Sequence, residues 1–413
     1  MKPPRLGARR VLFFAEAVTL AHVARPIALA QGLGAAGHEV VVACDPRYHG
    51  FLAHEPWQTL ALHSISSARF LRALASGSPV YDAETLRAYV RQDLEIIQRV
   101  QPDLIVGDFR LSLSVSARLT GVPYAAVTNA YWSPFYPVRR FPLPVLPLTR
   151  FLPVPLARQV FQWAQPIAFG LHCRPLNQVR REHGLAPLGS DLRRVYTDAD
   201  HTLYADVPAM FPTERRPANH HDLGPILWSP SVPLPTWWSQ LPMDRPIVYL
   251  TLGSSGAAPL MQMALEALAN QPVTVLASTA GAAVPQRLPS NIHAADYLPG
   301  MAAAARASLV ICNGGSPTSQ QALAAGVPVL GIAGNMDQFL NMGAVVECGA
   351  GRLLRGDRVS RASLRAAVLD MLADAGYRAG AGRLARAFAA AEAPARFAAF
   401  VAGNPIEPLE RMP

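Results

Sequence analysis

Residues 308–332 read SLVICNGGSPTSQQALAAGVPVLGI. Ser308–Ile311 is an apolar run of strand character, and Val327–Ile332 is a second one. Between them stand two adjacent glycines, Gly314 and Gly315, and a helix-like run. Strand, glycine turn, helix and strand in that order form a βαβ unit. A helix N-terminus at such a turn presents unpaired N–H groups and a partial positive charge, a place for an anion. Glycine lets the backbone come close without a Cβ in the way. Ser316 and Thr318 add hydroxyl donors, and Gln321 lies one turn further on. The stretch reads either as tight strand–helix packing or as a phosphate cradle.

The same grammar extends upstream. Ile247–Leu252 is a strand followed by GSSG at Gly253–Gly256, and Pro272–Ala277 and Asn291–Ala295 are further strands. Two glycine turns at two strand ends of one domain strengthen the phosphate reading and leave tight packing open. Asp337-Gln338 follows the strand Val327–Ile332. Aspartate there is either a helix cap or, with the glutamine, a group that recognises vicinal hydroxyls.

The N-terminal half repeats the pattern. Arg10–Phe14 and Glu39–Ala43 are apolar strands flanking a helix in which Pro26 suits the first turn and Gly37 the stop. Leu86, Val90, Leu94 and Ile97 mark an amphipathic helix ended by Pro102. Leu104–Gly107 and Val122–Val127 are strands around a helix at Ser112–Leu119. Continuous apolar strands alternating with helices mean an α/β fold with parallel sheets covered on both faces. Residues 207–246 are proline-rich and contain Trp228, Trp237 and Trp238, as an inter-domain linker would. The expected organisation is two Rossmann-like parallel-sheet domains facing a cleft. An acceptor domain takes 1–206, a linker 207–246, a nucleotide-binding domain 247–385, and a C-terminal helix and tail 386–413. In open parallel sheets a ligand lies beyond the carboxyl ends of the strands.

Composition narrows the chemistry. The chain has 413 residues, 51% of them hydrophobic and 16% charged, as a globular protein with large cores does. Lys and Arg exceed Asp and Glu by 37 − 28 = +9, and Lys2 is the single lysine. The excess reads as coding bias toward arginine or as an anionic partner. Without a usable lysine there is neither a Walker A phosphate loop nor a pyridoxal Schiff base. No nucleic-acid-binding signature is present. Cys44, Cys173, Cys312 and Cys348 form no C-x-x-C pair, so free thiols in a reducing, cytoplasmic setting are expected. Glu16, His22, Arg25 and Pro26 break the apolar N-terminus against a signal peptide, and no run of 18 uncharged apolar residues suggests a spanning helix.

Two features of the first half bear on function. His22 follows the first strand and Asp108 ends another, in VGDF. His22 is either a polar surface or capping residue, or a base that Asp108 orients through one ring nitrogen. From Phe109 to Arg181 there is no acidic residue and there are nine arginines. Within this stretch, residues 132–156 read as an irregular loop or as a cationic, apolar surface for a membrane or an amphiphilic acceptor. Asp198-Ala199-Asp200 looks like a metal-binding pair but precedes the strand-like His201–Tyr204 as a turn does, and no His/Cys cluster suggests a metal.

These residues resemble the inverting, nucleotide-sugar-dependent glycosyltransferases of the two-Rossmann-domain (GT-B) type, closest to family 1 with its macrolide and plant natural-product enzymes. Ala21-His22-Val23 with Pro26 and Leu29-Ala30 resembles the element G-H-x-x-P-x-x-x-L-A. Asp108 in VGDF resembles the partner aspartate. Asn313–Asn341, with Ala322-Leu323, Gly326-Val327-Pro328, Asp337-Gln338 and Asn341, resembles the signature H-G-G-x-G-T-x-x-E-A-L … G-V-P … D-Q-x-x-N. The resemblance implies that His22 deprotonates an acceptor hydroxyl and Asp108 orients it. It implies that Ser254, Ser255, Asn313, Gly314, Gly315, Ser316 and Thr318 hold a diphosphate and that Gln321 faces the ribose. Asp337 and Gln338 would bind the sugar, and the base would lie near Tyr297 and Leu298. The donor would be a UDP- or dTDP-sugar, with no metal or other cofactor, and the acceptor a small hydrophobic or lipid hydroxyl compound. Peripheral membrane contact through 132–181, at the inner face, goes with such an acceptor.

Asn313, Pro317 and Gln321 depart from the signature, which has His, Gly and Glu there. These departures motivate an alternative: an inactive homologue that binds or activates a partner enzyme. An epimerase of the same fold is a third reading, and it would need no acceptor.

Overall fold

The structure is a computed structural model that describes residues 8–242, 244–253, 258–280 and 287–410. It divides into two compact units. One comprises Met1–Arg140, Pro155–Ile226 and Ala391–Pro413; the other comprises Phe141–Val154 and Leu227–Ala390.

The chain begins in the first unit with β1 (Arg10–Ala15), α1 (Ala21–Ala35), β2 (Glu39–Cys44), β3 (Gln58–Ala61), α2 (Ser67–Ser76) and α3 (Ala83–Val100). It continues through β4 (Leu104–Asp108), α4 (Leu113–Thr120) and β5 (Tyr124–Thr128). After α5 (Leu148–Phe151), which belongs to the second unit, come α6 (Val154–Glu182), α7 (Leu192–Tyr196), β6 (His201–Tyr204) and β7 (His220–Asp222). The strands form one parallel sheet in the order β3-β2-β1-β4-β5-β6-β7. Val11–Ala15 is wholly buried, which explains the unbroken apolar run of β1: both faces of the strand are covered.

The second unit holds β8 (Ile247–Thr251), α8 (Ala258–Leu268), β9 (Thr274–Ser278), β10 (Ile292–Ala295), α9 (Gly300–Arg306) and β11 (Leu309–Cys312). It continues with α10 (Ser316–Ala324), β12 (Val329–Ala333), α11 (Met336–Glu347), β13 (Gly351–Arg355), α12 (Arg361–Ala373) and α13 (Ala375–Ala389). Its parallel sheet has the order β10-β9-β8-β11-β12-β13. In both sheets the order reverses at the first strand of the unit. The two switch points, β1/β4 and β8/β11, are the places where such sheets open a crevice for ligands.

The boundaries differ from the sequence expectation at three places. Residues 141–154 belong to the second unit. This proline-rich stretch lacks ladder partners, and side chains satisfy its carbonyls: Arg355 Nη1 donates to the Leu143 oxygen at 2.7 Å and Arg358 Nη2 to the Thr149 oxygen at 2.8 Å. Residues 207–226, expected in the linker, add β7 to the first sheet. The C-terminal helix α14 (Ala393–Val401) returns to the first unit and packs on α1. A Cβ at Gly32 would stand 2.8 Å from that of Pro394, and Phe397 lies 5.8 Å from Phe13 between ring centroids. Pro26 also departs from expectation. It lies inside α1, a turn later than the first, because the helix already starts at Ala21. His22 is therefore in the helix's first turn, not in the preceding loop.

Candidate active site

At the first switch point, β1 and β4 run side by side with Ala15 paired to Asp108. Asp108 is the last residue of β4, and His22 enters from the first turn of α1. His22 Nδ1 lies 2.8 Å from Asp108 Oδ1, with the aspartate side chain 1% exposed and the imidazole 18%. The two residues singled out in the sequence are thus in contact.

A third residue, which sequence reasoning missed, completes the cluster. Arg25 grips both oxygens of the carboxylate: Nε donates to Oδ2 at 2.7 Å and Nη2 to Oδ1 at 2.7 Å. Its Nη1 donates to Asn129 Oδ1 at 2.9 Å, and Asn129 Nδ2 in turn reaches both oxygens of Asp206 at 3.1 Å. Burial lowers the Arg25 pKa, but the charge of Asp108 and its hydrogen bonds outweigh burial, and the net shift is upward. The buried cation is therefore fully paired, as a buried charge must be. A displaced motif position sets Arg25 apart but does not point to Asp108. In the element G-H-x-x-P the proline stands three residues after the histidine. Here that place is Arg25, and Pro26 follows it.

The imidazole is also held from one face. It stacks on Phe109 with centroids 4.8 Å apart and planes 17° from parallel. Phe109 has φ of 60°, a left-handed conformation that costs a non-glycine residue about 1–2 kcal/mol. That twist turns the chain straight after Asp108. Phe70, Tyr81 and Tyr196 surround the Phe109 ring. Beneath it, fully buried Arg110 ties Glu16 at 2.8 Å and Asp93 at 3.0 Å. Burial raises the pKa of Glu16 despite the arginine, and that of Asp93 likewise. Glu16, which breaks the apolar N-terminus in the sequence, is thus a structural anchor. It holds the end of β1 to the loop after β4.

At the second switch point the construction is mostly backbone. Gly314 has φ of 84°, and a Cβ there would lie 2.7 Å from Met342 Cγ. Gly315 is the N-cap of α10, and its N–H donates to Asn313 Oδ1 at 3.0 Å. Asn341, fully buried on α11, fastens the turn: its Nδ2 donates to the Gly314 oxygen and to Ser319 Oγ, each at 2.8 Å. A Cβ at Gly253, just past β8, would come 3.6 Å from Asn313 Nδ2, so the ends of β8 and β11 meet. Ser254 and Ser255 lie outside the described residues. Ser316 is buried in the first turn of α10 and Thr318 is half-buried. Leu298 is buried and Tyr297 exposed.

Two other expected donor contacts are engaged within the protein. Gln321 donates through Nε2 to the carbonyl of Trp228, a bond that a glutamate could not make. That contact gives a physical reason for glutamine at this place in the signature. Gln338 forms the capping box of α11: its Oε1 accepts from Gly334 at 2.8 Å and Asn335 at 3.2 Å. Asn335, not Asp337, is the cap, and Asp337 stands in the first turn. Asp198 and Asp200 serve the framework. Asp198 accepts from Ser114 and Arg180 at 2.6 Å each, and Asp200 accepts from Arg118 at 2.6 Å and the Tyr124 N–H at 2.9 Å. Among the described residues no three His, Cys, Asp or Glu side chains gather as metal ligands.

The chain is similar to several known proteins. Residues 263–402 match the family described as Erythromycin biosynthesis protein CIII-like, C-terminal domain. The "PGL/p-HBAD biosynthesis rhamnosyltransferase" of Mycobacterium bovis (strain BCG / Pasteur 1173P2) is 55% identical over 387 residues, 93% of this chain and 86% of its own length. A protein of the same organism called "Inactive PGL/p-HBAD biosynthesis glycosyltransferase" is 52% identical over 260 residues, 63% of this chain and 71% of its own. Among solved structures, the calicheamicin glycosyltransferase CalG4 superposes with a TM-score of 0.69 at 19% identity, covering 96% of this chain and 98% of its own. The spinosyn rhamnosyltransferase SpnG complexed with thymidine diphosphate gives 0.68 at 19%, covering 94% and 98%. The chain belongs to the family 1 glycosyltransferases of the GT-B type, the group of the macrolide glycosyltransferases, and it is a glycosyltransferase.

Proposed function

From that membership and the site at the β1/β4 switch point, we propose that the protein transfers a sugar from a dTDP- or UDP-sugar to a hydroxyl of a small or lipid-like acceptor, with inversion. The observation that carries this reading is the 2.8 Å contact between His22 Nδ1 and Asp108 Oδ1. Asp108 accepts the Nδ1 proton and leaves Nε2 as the basic nitrogen. Arg25 Nη2 stands 3.2 Å from the same Nδ1. The shorter bond to a carboxylate favours Nδ1–H over a lone pair facing the guanidinium. His22 Nε2 takes the proton of the acceptor hydroxyl as its oxygen forms a bond to C1 of the sugar. The C1–oxygen bond to the diphosphate breaks on the opposite face, and the nucleoside diphosphate leaves. The N–H groups at the start of α10 and the Ser316 and Thr318 hydroxyls stabilise the leaving charge, so this step calls for no metal.

A dTDP-linked rhamnose-type sugar is the first donor to try, because one relative is named a rhamnosyltransferase and SpnG is seen with thymidine diphosphate. A lipid-like acceptor brings the enzyme to a membrane, and peripheral contact through residues 132–181 is part of the reading.

The test is transfer from dTDP- and UDP-sugars to a panel of apolar hydroxyl acceptors, with the anomeric configuration read by NMR. Inverted product formed by wild type and lost in His22→Ala is the expected result. Retained configuration, or transfer indifferent to His22, overturns the mechanism. The relative named inactive motivates a second reading, a non-catalytic partner protein. That reading leads if wild type transfers nothing from any donor while raising the activity of a second glycosyltransferase.

A further inference from the structure

Helix α6 is amphipathic in an unusual sense. Its buried face carries Ala157, Phe161, Phe169, Cys173 and Leu176. Its outer face carries Leu156, Val160, Trp163, Ile167 and Leu171, spaced 4, 3, 4 and 4 residues apart, which places them in one stripe. They are 46%, 42%, 87%, 69% and 41% exposed. Five of the eleven exposed large apolar side chains among the described residues therefore lie on one helix. At 1.5 Å per residue the stripe is about 22 Å long. Single exposed apolar residues are ordinary; a continuous stripe marks a binding surface.

Charge identifies the partner. The stripe continues in the same helical register into Arg174 and Arg181, and Arg158 is exposed in its first turns. Among the described residues none of these three arginines forms an ion pair with an acid. No acidic residue occurs from Phe109 to Arg181 to neutralise them. A second copy of the chain seated here would bring a second set of arginines and no acid from this segment, which makes a poor self-complementary interface. An anionic lipid surface satisfies both halves of the pattern: headgroups take the arginines, and the acyl boundary takes the indole and the aliphatic chains. No helix among the described residues is long and apolar enough to cross a membrane, so α6 would lie along the surface.

We infer that the outer face of α6 docks the protein on anionic membranes, with Trp163 and Ile167 as the inserting side chains. The inference rests on the membrane contact included in the proposed function and deepens it by naming the helix face and the lipid class; the transfer chemistry at His22 stands apart from it.

The experiment is flotation of the full chain with phosphatidylcholine vesicles and with vesicles containing phosphatidylglycerol, at low and high salt. It compares wild type with Trp163→Glu/Ile167→Glu and with Leu369→Glu, an exposed apolar site on the second unit. Wild type and Leu369→Glu should float with the anionic vesicles, less at high salt, and the double variant should bind at least about tenfold more weakly. Absence of flotation in wild type overturns the proposal, as does equal flotation of wild type and the double variant. Sedimentation overturns it in favour of a second copy if wild type is a dimer that does not float and the double variant is a monomer. Thermal unfolding with and without dTDP is read on the same samples. Loss of flotation with the dTDP shift kept confirms that the double variant is folded. A missing dTDP shift in wild type counts against the proposed donor and leaves the vesicle result standing.

Discussion

At the β1/β4 switch point polar side chains do the positioning: Asp108, Arg25 and His22 hold one another in a network anchored on Asn129 and Asp206. At the β8/β11 switch point the work falls to backbone shape: Gly314 at φ 84°, Gly315 as a cap, and one buried amide, Asn341, fastening the turn. The topology of the two sheets is alike, and the chemistry they offer is not. Such a network can move a proton, but it fails when its buried acid is removed, because Arg25 then loses its partner. A glycine turn moves no proton and receives an anion through groups every residue has. The comparison teaches that a catalytic role and a binding role leave different residues vulnerable.

Removing the acid from the first site should have the largest effect. Asp108→Ala leaves Arg25 as an unpaired buried cation, at a cost of about 3–5 kcal/mol in chemical denaturation, and also abolishes transfer. A loss of activity without loss of stability would break the claim that the network is structural as well as catalytic. His22→Ala should sharpen the division. Transfer falls by about 10²–10⁴-fold, while stability, read by denaturation, changes by less than about 1 kcal/mol because the imidazole is partly exposed.

The second site should respond in the other order. Gly314→Ala places a Cβ at positive φ and against Met342, costing about 1–2 kcal/mol in denaturation. Its main effect should be on the nucleotide, with Kd rising about tenfold or more. An unchanged Kd would mean that the turn does not receive the diphosphate.

The smallest effect is one of pH, and it belongs to the first unit. Burial, reinforced by Arg216 and His221, pushes His220 down to about 4, and burial also lowers His201 and His221. His220 Nδ1 meets the Tyr204 hydroxyl at 2.6 Å. A histidine kept neutral in the fold binds fewer protons than in the unfolded chain, whose value is near 6.5. Stability is therefore full above that pH and is lost as pH falls toward 4. Thermal unfolding at pH 7.5 and 5 should show a lower Tm at pH 5, with a smaller drop in His220→Gln.

Much of this was legible in the sequence because it depends on local pattern. Strands covered on both faces are runs such as VLFF and EVVVA, and their alternation with helices announces a parallel sheet. The glycine turn reads directly, since only glycine suits Gly314. His22 and Asp108 were nameable, but their contact depends on strand order. Arg25 was not legible as a partner of Asp108, because an arginine in the second turn of a helix ordinarily faces water. Phe109 gives no hint of its positive φ. The crossing of residues 141–154 into the second unit rests on Arg355 and Arg358, about two hundred residues away in sequence. Gln338 also closes the capping box of α11, a role that its place after a strand does not announce.

The division of labour is tested most directly by calorimetric titration of dTDP into wild type, His22→Ala and Gly314→Ala. The account predicts binding to wild type, a Kd for His22→Ala within about twofold of it, and a Kd for Gly314→Ala at least about tenfold higher, or 1.4 kcal/mol. A Kd raised as much by His22→Ala as by Gly314→Ala, or left unchanged by Gly314→Ala, would contradict it.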